Sequence, residues 1–266
     1  SPVTVYMVSL AFADSAVLIL DFLNNWFKTV FQIKFLSHSH GFCTFHRYFF
    51  NVCYTYAAWL IVAVAAERFV VVWYPLMART WCTVRSALIS VVVILFLVCL
   101  VYINNLWGWH IKDNNCDIHP EQKHYLSNIA PWVSGALYSY IPVLLLVIFN
   151  AAIIIRLIMA NKERAGLGDD KIGEKSSIST ETVKITVTVI VICISYMVLT
   201  IPLTAFYLIV FSAGMFVYMG PEVALIETII LSFGLSNHAI NFFLYCMTSD
   251  RFRSEQIGRA SCRERV

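Results

Sequence analysis

Charged side chains are scarce in this chain, and those that interrupt its apolar runs are the ones able to do chemistry. Glu67 and Arg68 end an apolar stretch that begins at Trp59, and one more aliphatic and aromatic turn leads on to Pro75-Leu76. A charge in mid-bilayer costs about 2.5–3.5 kcal/mol and far less near an interface, so Arg68 is expected at a membrane face, turned toward protein. Sequence neighbours on a helix point in different directions, so Glu67 and Arg68 are each expected to need a partner of their own or water. That arrangement suits a switch better than a structural salt bridge. Asp14 lies inside a second apolar run, and Asp21 follows two turns later on a similar face. Glu227 and His238 interrupt the last run. No Gly-rich phosphate loop, CxxC metal pair or catalytic triad occurs, and an enzyme is not expected.

These residues sit in a chain that is 59% hydrophobic and 13% charged, with a mean hydropathy of +0.73. A soluble domain carries about a quarter charged residues, so the apolar excess predicts an integral, multi-pass membrane protein. A helix needs about 20 apolar residues to cross the hydrocarbon, and six segments qualify: about 3–27, 43–73, 84–107, 130–159, 183–211 and 221–247. Lipid supplies no hydrogen bonds to the backbone, so they are expected to be helices. The fold class is therefore all-α, a transmembrane helical bundle. Cys43 to Arg68 spans about 37 Å at the helical rise, from one membrane face to the other. Arg68, Arg79, Arg85, Arg156, Lys162, Arg164, Lys171, Lys175, Lys184, Arg251 and Arg253 gather on one side of the predicted bundle, which the positive-inside rule makes cytoplasmic. Of eight cysteines, Cys53, Cys99, Cys193 and Cys246 read as small buried hydrophobes, whereas Cys43 and Cys116 lie at outer segment ends in an oxidising compartment and are expected to be bridged. Residues 161–182 turn polar and are expected to form a cytoplasmic loop; Ser176, Ser177, Ser179 and Thr180 in it offer hydroxyls for phosphorylation or simply for solvation. Pro142 and Pro202 fall mid-span and should kink their helices.

Order and spacing together resemble a rhodopsin-like (class A) G-protein-coupled receptor, from its second helix to just past its seventh. Leu10-Ala11-Phe12-Ala13-Asp14 is similar to the second-helix LAxAD motif, and Cys43 to the cysteine opening the third helix. Glu67-Arg68-Phe69 stands where the family has DRY, with Pro75-Leu76 in the loop beyond. Cys116 matches the second-loop cysteine, Pro142 and Pro202 the prolines of helices five and six, and Asn241-Phe242-Phe243-Leu244-Tyr245 the NPxxY position. The resemblance implies the seven-helix receptor fold with helices 2–7 present in residues 1–256, a first helix lost before Ser1, and a short interfacial segment at 249–255. Residues 257–266 resemble a translated adapter and are expected to be foreign to the fold. Departures are Thr200 in place of the sixth-helix Trp, Phe242 in place of the seventh-helix proline, Asn150 where a Tyr is usual, no Trp in the fourth helix, and Thr182 where a Glu usually faces the arginine, which leaves Glu181 or no lock between helices. With Thr182, Asn150 and Thr200 replacing the usual partners, Arg68 is expected to be held at rest mainly by local contacts such as Glu67.

For the site, the resemblance groups Asp14 with Asn237, His238 and Asn241, a polar cluster that in relatives holds sodium or water. Ala57 replaces a common sodium-binding Ser, and a protonated Asp14 bonded to Asn241 is the packing alternative. No other cofactor is implied. An outer ligand cavity is expected from Asp21, Asn25, Phe50, Asn51, Tyr54, Tyr138, Tyr207 and Glu227. Two carboxylates there would favour a cationic group of a peptide, unless Glu227 pairs with Arg47 or a loop lysine. Phe50 replaces the aspartate of amine receptors, and the last span has no lysine for a retinal Schiff base. The chain looks most like invertebrate neuropeptide receptors of the FMRFamide type. Glu67, Arg68, Pro75, Leu76, Asn150, Pro202, Asn241 and Tyr245 would then serve switching and G-protein coupling. The implied partners are an extracellular peptide, a heterotrimeric G protein and plasma-membrane lipid, with no nucleic acid. A receptor for a small non-peptide ligand is the nearest rival. An ion or proton transporter using Asp14, His238 and Glu227 is another, against which stands the lack of internal repeats.

Overall fold

The structure, a computed structural model, describes residues 1–31, 36, 39–166, 180–212 and 221–248. Its helices are α1 (Pro2–Val30), α2 (His40–Trp73), the short α3 (Pro75–Trp81), α4 (Val84–Val101), α5 (Ala130–Gly135), α6 (Ile141–Gly166), α7 (Thr180–Ser212) and α8 (Pro221–Thr248). A hairpin of β1 (Trp109–Lys112) and β2 (Asn115–Ile118) follows α4. Among the described residues, α1, α2, α4, the helix from Tyr125 to Ala160 and α7 are long and apolar enough to cross a membrane. α8, with 28 residues, extends about 42 Å. The expected segment 249–255, the tail 257–266 and the serines at 176, 177 and 179 lie outside the described residues.

Local chemistry sets the boundaries. Ser39 accepts the Phe42 amide at 3.2 Å and opens α2, and Thr83 does the same for Ser86 at 3.1 Å to open α4. Pro75 takes the first turn of α3, where its missing N–H costs nothing. The third predicted segment ends as α-helix at Val101 rather than at 107. Beyond it Ile103–Leu106 tightens to a 3₁₀ turn, because Asn104 and Asn105 compete with the helix for backbone bonds. The fourth predicted segment starts earlier than residue 130: helical backbone runs unbroken from Tyr125, with wide π turns at Tyr125–Ile129 and Ala136–Tyr140.

Both π turns end two residues before a proline, Pro131 or Pro142. Pro142 gives no N–H to Tyr138 O, and the Ile141 N–H is spent on Ala136 O, which strips Leu137 O as well. Other helices answer both carbonyls. The Tyr196 hydroxyl of α7 donates to Tyr138 O, and the Trp59 indole of α2 donates to Leu137 O at 2.9 Å. The proline thus fastens three helices together as well as bending one.

α2 is the central post. In its most apolar window 61% of residues are buried, against 11% for α4. α4 turns Leu88, Ile89, Val92, Phe96 and Leu100 outward, the composition of a lipid-facing helix. α1, α4, α6 and α7 pack around α2, and α8 closes the ring by packing on α1 and α7. Gly234 on α8 permits that closure, since a Cβ there would meet Leu203 of α7 at 3.0 Å. At the outer end Asp113 and Asn114 both adopt positive φ, forming the two-residue turn that a tight hairpin needs. Cys43 is disulfide-bonded to Cys116, which pins the hairpin to α2. Arg47 lies 4.6 Å over the Trp109 ring as a second fastening.

With a sequence separation of 73, this bridge removes much freedom from the unfolded chain. Cys43→Ser should cost about 2–5 kcal/mol, read as an earlier thermal transition in detergent. Cys82→Ser, altering a half-buried free thiol, should shift it far less.

Candidate functional site

Three arrangements lie along the bundle from the outer to the inner side. The outer one begins with a helical stripe on α2. His46, Phe50 and Tyr54 recur every four residues and stack, at 6.3 and 5.6 Å between ring centroids. Tyr54 then stacks on Tyr138 at 3.8 Å. These rings enter a cavity of about 260 Å³ between α2, the Pro131–Tyr140 stretch, α7 and α8.

Of the eight residues expected there, Phe50, Asn51, Tyr54, Tyr138 and Tyr207 line the cavity. Glu227 joins it indirectly, its Oε1 accepting from the Tyr207 hydroxyl at 3.1 Å. Among the described residues no ion pair joins it to Arg47 or a loop lysine, and Arg47 lies over Trp109. Asp21 is half-buried on α1 and is not among the lining residues, and the Asn25 side chain lies outside those described. Residues not anticipated include Thr55, Tyr102, Trp132, Ser139 and Thr204. Thr55 Oγ1 and the Tyr102 hydroxyl bond at 2.8 Å, and Ser139 bonds Thr204 across the α7 interface. Their signal was present: hydroxyls inside apolar helices need partners.

Beneath the cavity, Asp14 is 4% exposed. Its Oδ1 lies 2.7 Å from His238 Nδ1, and its Oδ2 accepts from Asn241 Nδ2 at 2.9 Å. The expected cluster is therefore assembled, with α1 supplying the carboxylate and one face of α8 the donors. Asn237 is buried beside them, and both its amide atoms lack a partner among the described residues. His238 Nε2, Asn241 Oδ1 and the hydroxyls of Tyr54, Tyr138 and Thr200 share that condition. The Tyr54 ring lies 5.0 Å from His238 and so touches both cavity and cluster.

At the inner end, Glu67 and Arg68 are buried, and Arg68 donates from a terminal guanidinium nitrogen to Glu67 Oε1 at 3.0 Å. This is the local contact expected from the loss of the usual partners, and it replaces the first expectation of separate partners for the two. The two side chains fold onto each other because buried charges cost more apart than paired. The pairing is incomplete, since Glu67 Oε2 and Arg68 Nε have no partner among the described residues. Cys82, in the turn after α3, has its thiol pushed up by burial and by the Glu67 carboxylate. Leu76, after Pro75, is 80% exposed. Asn150 is buried with both amide atoms unpaired among the described residues, and Pro202 lies inside α7. The side chains of Tyr245 and Glu181 lie outside those described.

Apolar helices around a buried post, an outer disulfide, an aromatic cavity over a buried carboxylate and a buried arginine at the opposite end define a membrane receptor. The chain belongs to the 7 transmembrane receptors of the rhodopsin family, which it matches over residues 1–245. It is a multi-pass plasma-membrane protein of a receptor family, not of an enzyme family. A relative from Caenorhabditis elegans, described as "Putative G-protein coupled receptor F59B2.13", is 25% identical over 224 residues, which cover 74% of this chain and 50% of the relative. The chain thus spans about half the length of that protein.

Asp14→Ala would leave two buried donors without an acceptor and should cost about 2–4 kcal/mol. The exposed neighbour Ser15, bonded only to Ala11 O, should matter by about 0.5 kcal/mol or less when changed to Ala. Thermal denaturation followed by reactivity of the buried Cys53 and Cys193 thiols would measure both.

Proposed function

We propose that this chain is the core of a receptor for an extracellular neuropeptide, and that ligand binding drives a heterotrimeric G protein. The observation that carries the ligand class is the size and wall of the outer cavity. Drug-sized ligands are held in clefts of roughly 300–1,000 Å³, and this cavity of about 260 Å³ suits one end of a ligand whose remainder lies outside. A peptide terminus inserted among Phe50, Tyr54, Tyr138 and Tyr207 meets that description. No carboxylate is among the lining residues, so a small amine would find no direct counter-charge. Glu227, one hydrogen bond behind Tyr207, can meet a basic group that displaces the tyrosine.

The coupling follows from differential binding: a ligand shifts the receptor only so far as it prefers one arrangement. Movement of α7 about Pro202 would loosen the contacts around Tyr196 and uncover Arg68 for the G protein. Leu76 on α3 would offer that partner an apolar knob. The incomplete Arg68–Glu67 pair is the local restraint at rest.

Calcium and cAMP responses of the full-length receptor to a panel of amidated and free-acid neuropeptides test the assignment; a response only to lipids or amines would sink the peptide reading. Glu227→Gln should reduce the potency of basic peptides about tenfold, the worth of one charge-assisted hydrogen bond. Glu67→Gln should raise ligand-independent signalling, and unchanged basal activity would count against the restraint.

A further inference from the structure

A buried carboxylate is held either by a cation or by hydrogen-bond donors, and the two solutions surround it with different atoms. A hard cation such as sodium gathers oxygen acceptors. At Asp14 the neighbouring atoms are nitrogens: His238 Nδ1 at 2.7 Å from Oδ1 and Asn241 Nδ2 at 2.9 Å from Oδ2. At 2.7 Å the two atoms share a proton, carried by Nδ1 or by the carboxyl, and in either form the imidazole nitrogen fills the space beside Oδ1. Each nitrogen stands where a cation would have to sit to reach that oxygen. On α2, Ala57 is buried and brings no hydroxyl toward the cluster.

The remaining polar capacity is mixed, which suits water. Asn237 Nδ2 is a donor, whereas Asn237 Oδ1, Asn241 Oδ1 and His238 Nε2 are acceptors, all buried without partners among the described residues. Water satisfies donors and acceptors together, and a cation only the acceptors. Nor can the imidazole readily swing aside. Its side chain is 1% exposed, Tyr54 lies 5.0 Å away, and Tyr54 is itself stacked on Tyr138 at 3.8 Å. An ion entering beside Asp14 would have to displace the aromatic pair that lines the cavity.

We propose that in this chain the imidazole of His238 occupies the place of a metal cation beside Asp14, so that the cluster is closed by a protein donor and by water and does not bind sodium. The sodium site implied by the family resemblance does not fit the residues present. This reading is independent of which ligand fills the outer cavity.

The test compares thermal unfolding of the wild-type protein in neutral detergent across matched series of sodium chloride and choline chloride, which hold ionic strength equal. A bound ion would raise the melting temperature with concentration by mass action. The wild type is expected to melt at the same temperature in both series. His238→Ser, which removes the imidazole and supplies an oxygen, is expected to gain a sodium-dependent rise of several degrees. His238→Gln, which restores an N–H donor, is expected to lose it again. Sodium-specific stabilisation of the wild type overturns the proposal. Absence of a sodium response in both wild type and a folded His238→Ser overturns the role given to His238. Should His238→Ser fail to fold, the wild-type series alone decides, with no sodium response upholding exclusion and a response overturning it.

Discussion

Hydrocarbon offers no hydrogen bonds, and a polar group placed inside it must find its partner on another helix or lack one. The bundle's connections follow from that constraint. Tyr138 O and Leu137 O, deprived by Pro142 and the π turn, draw in Tyr196 from α7 and Trp59 from α2. Trp73 reaches Ala152 O on α6 at 3.1 Å. His46 bonds Leu20 O at 3.2 Å, joining the outer ends of α1 and α2. Since lipid tails are as apolar as leucine, such bonds and close packing, rather than a hydrophobic drive between helices, set which helices meet.

The same constraint stacks the functional features on a common axis. The cavity, the Asp14 cluster and the Glu67–Arg68 pair are among the places where polar side chains are buried with part of their hydrogen-bonding capacity unmet among the described residues. A packed apolar interior resists gradual deformation, so it is at these incompletely paired positions that a second arrangement costs least. Tyr54 touches both the cavity wall and His238, which puts the ligand's site and the buried carboxylate within a single ring of each other. Arg68 lies farther along the same helix, about four turns beyond Tyr54.

Much of this was readable in advance because membrane burial imposes simple periodicities. Length and apolarity located the spans within a few residues, except where α4 ended early and where the helix that holds Pro131 began at Tyr125 rather than at residue 130. The identity of the cavity residues was read less completely: Phe50, Asn51, Tyr54, Tyr138 and Tyr207 were found from their helical positions, while Thr55, Tyr102 and Thr204 were missed. Their hydroxyls pair across helices, and the crossing of two helices has no signature in either sequence.

By itself the sequence determined the class of fold and its few buried charges, since lipid tolerates only apolar helices of a set length and makes every intramembrane charge conspicuous. Only the tertiary structure decided how those charges are satisfied. Glu67 and Arg68, adjacent on one helix, close on each other; Glu227 turns to Tyr207; Asp14 takes both of its partners from a helix more than two hundred residues away, as the separations of 224 and 227 record. Such pairings depend on helix rotation and crossing, which side-chain packing sets in three dimensions and no local pattern encodes.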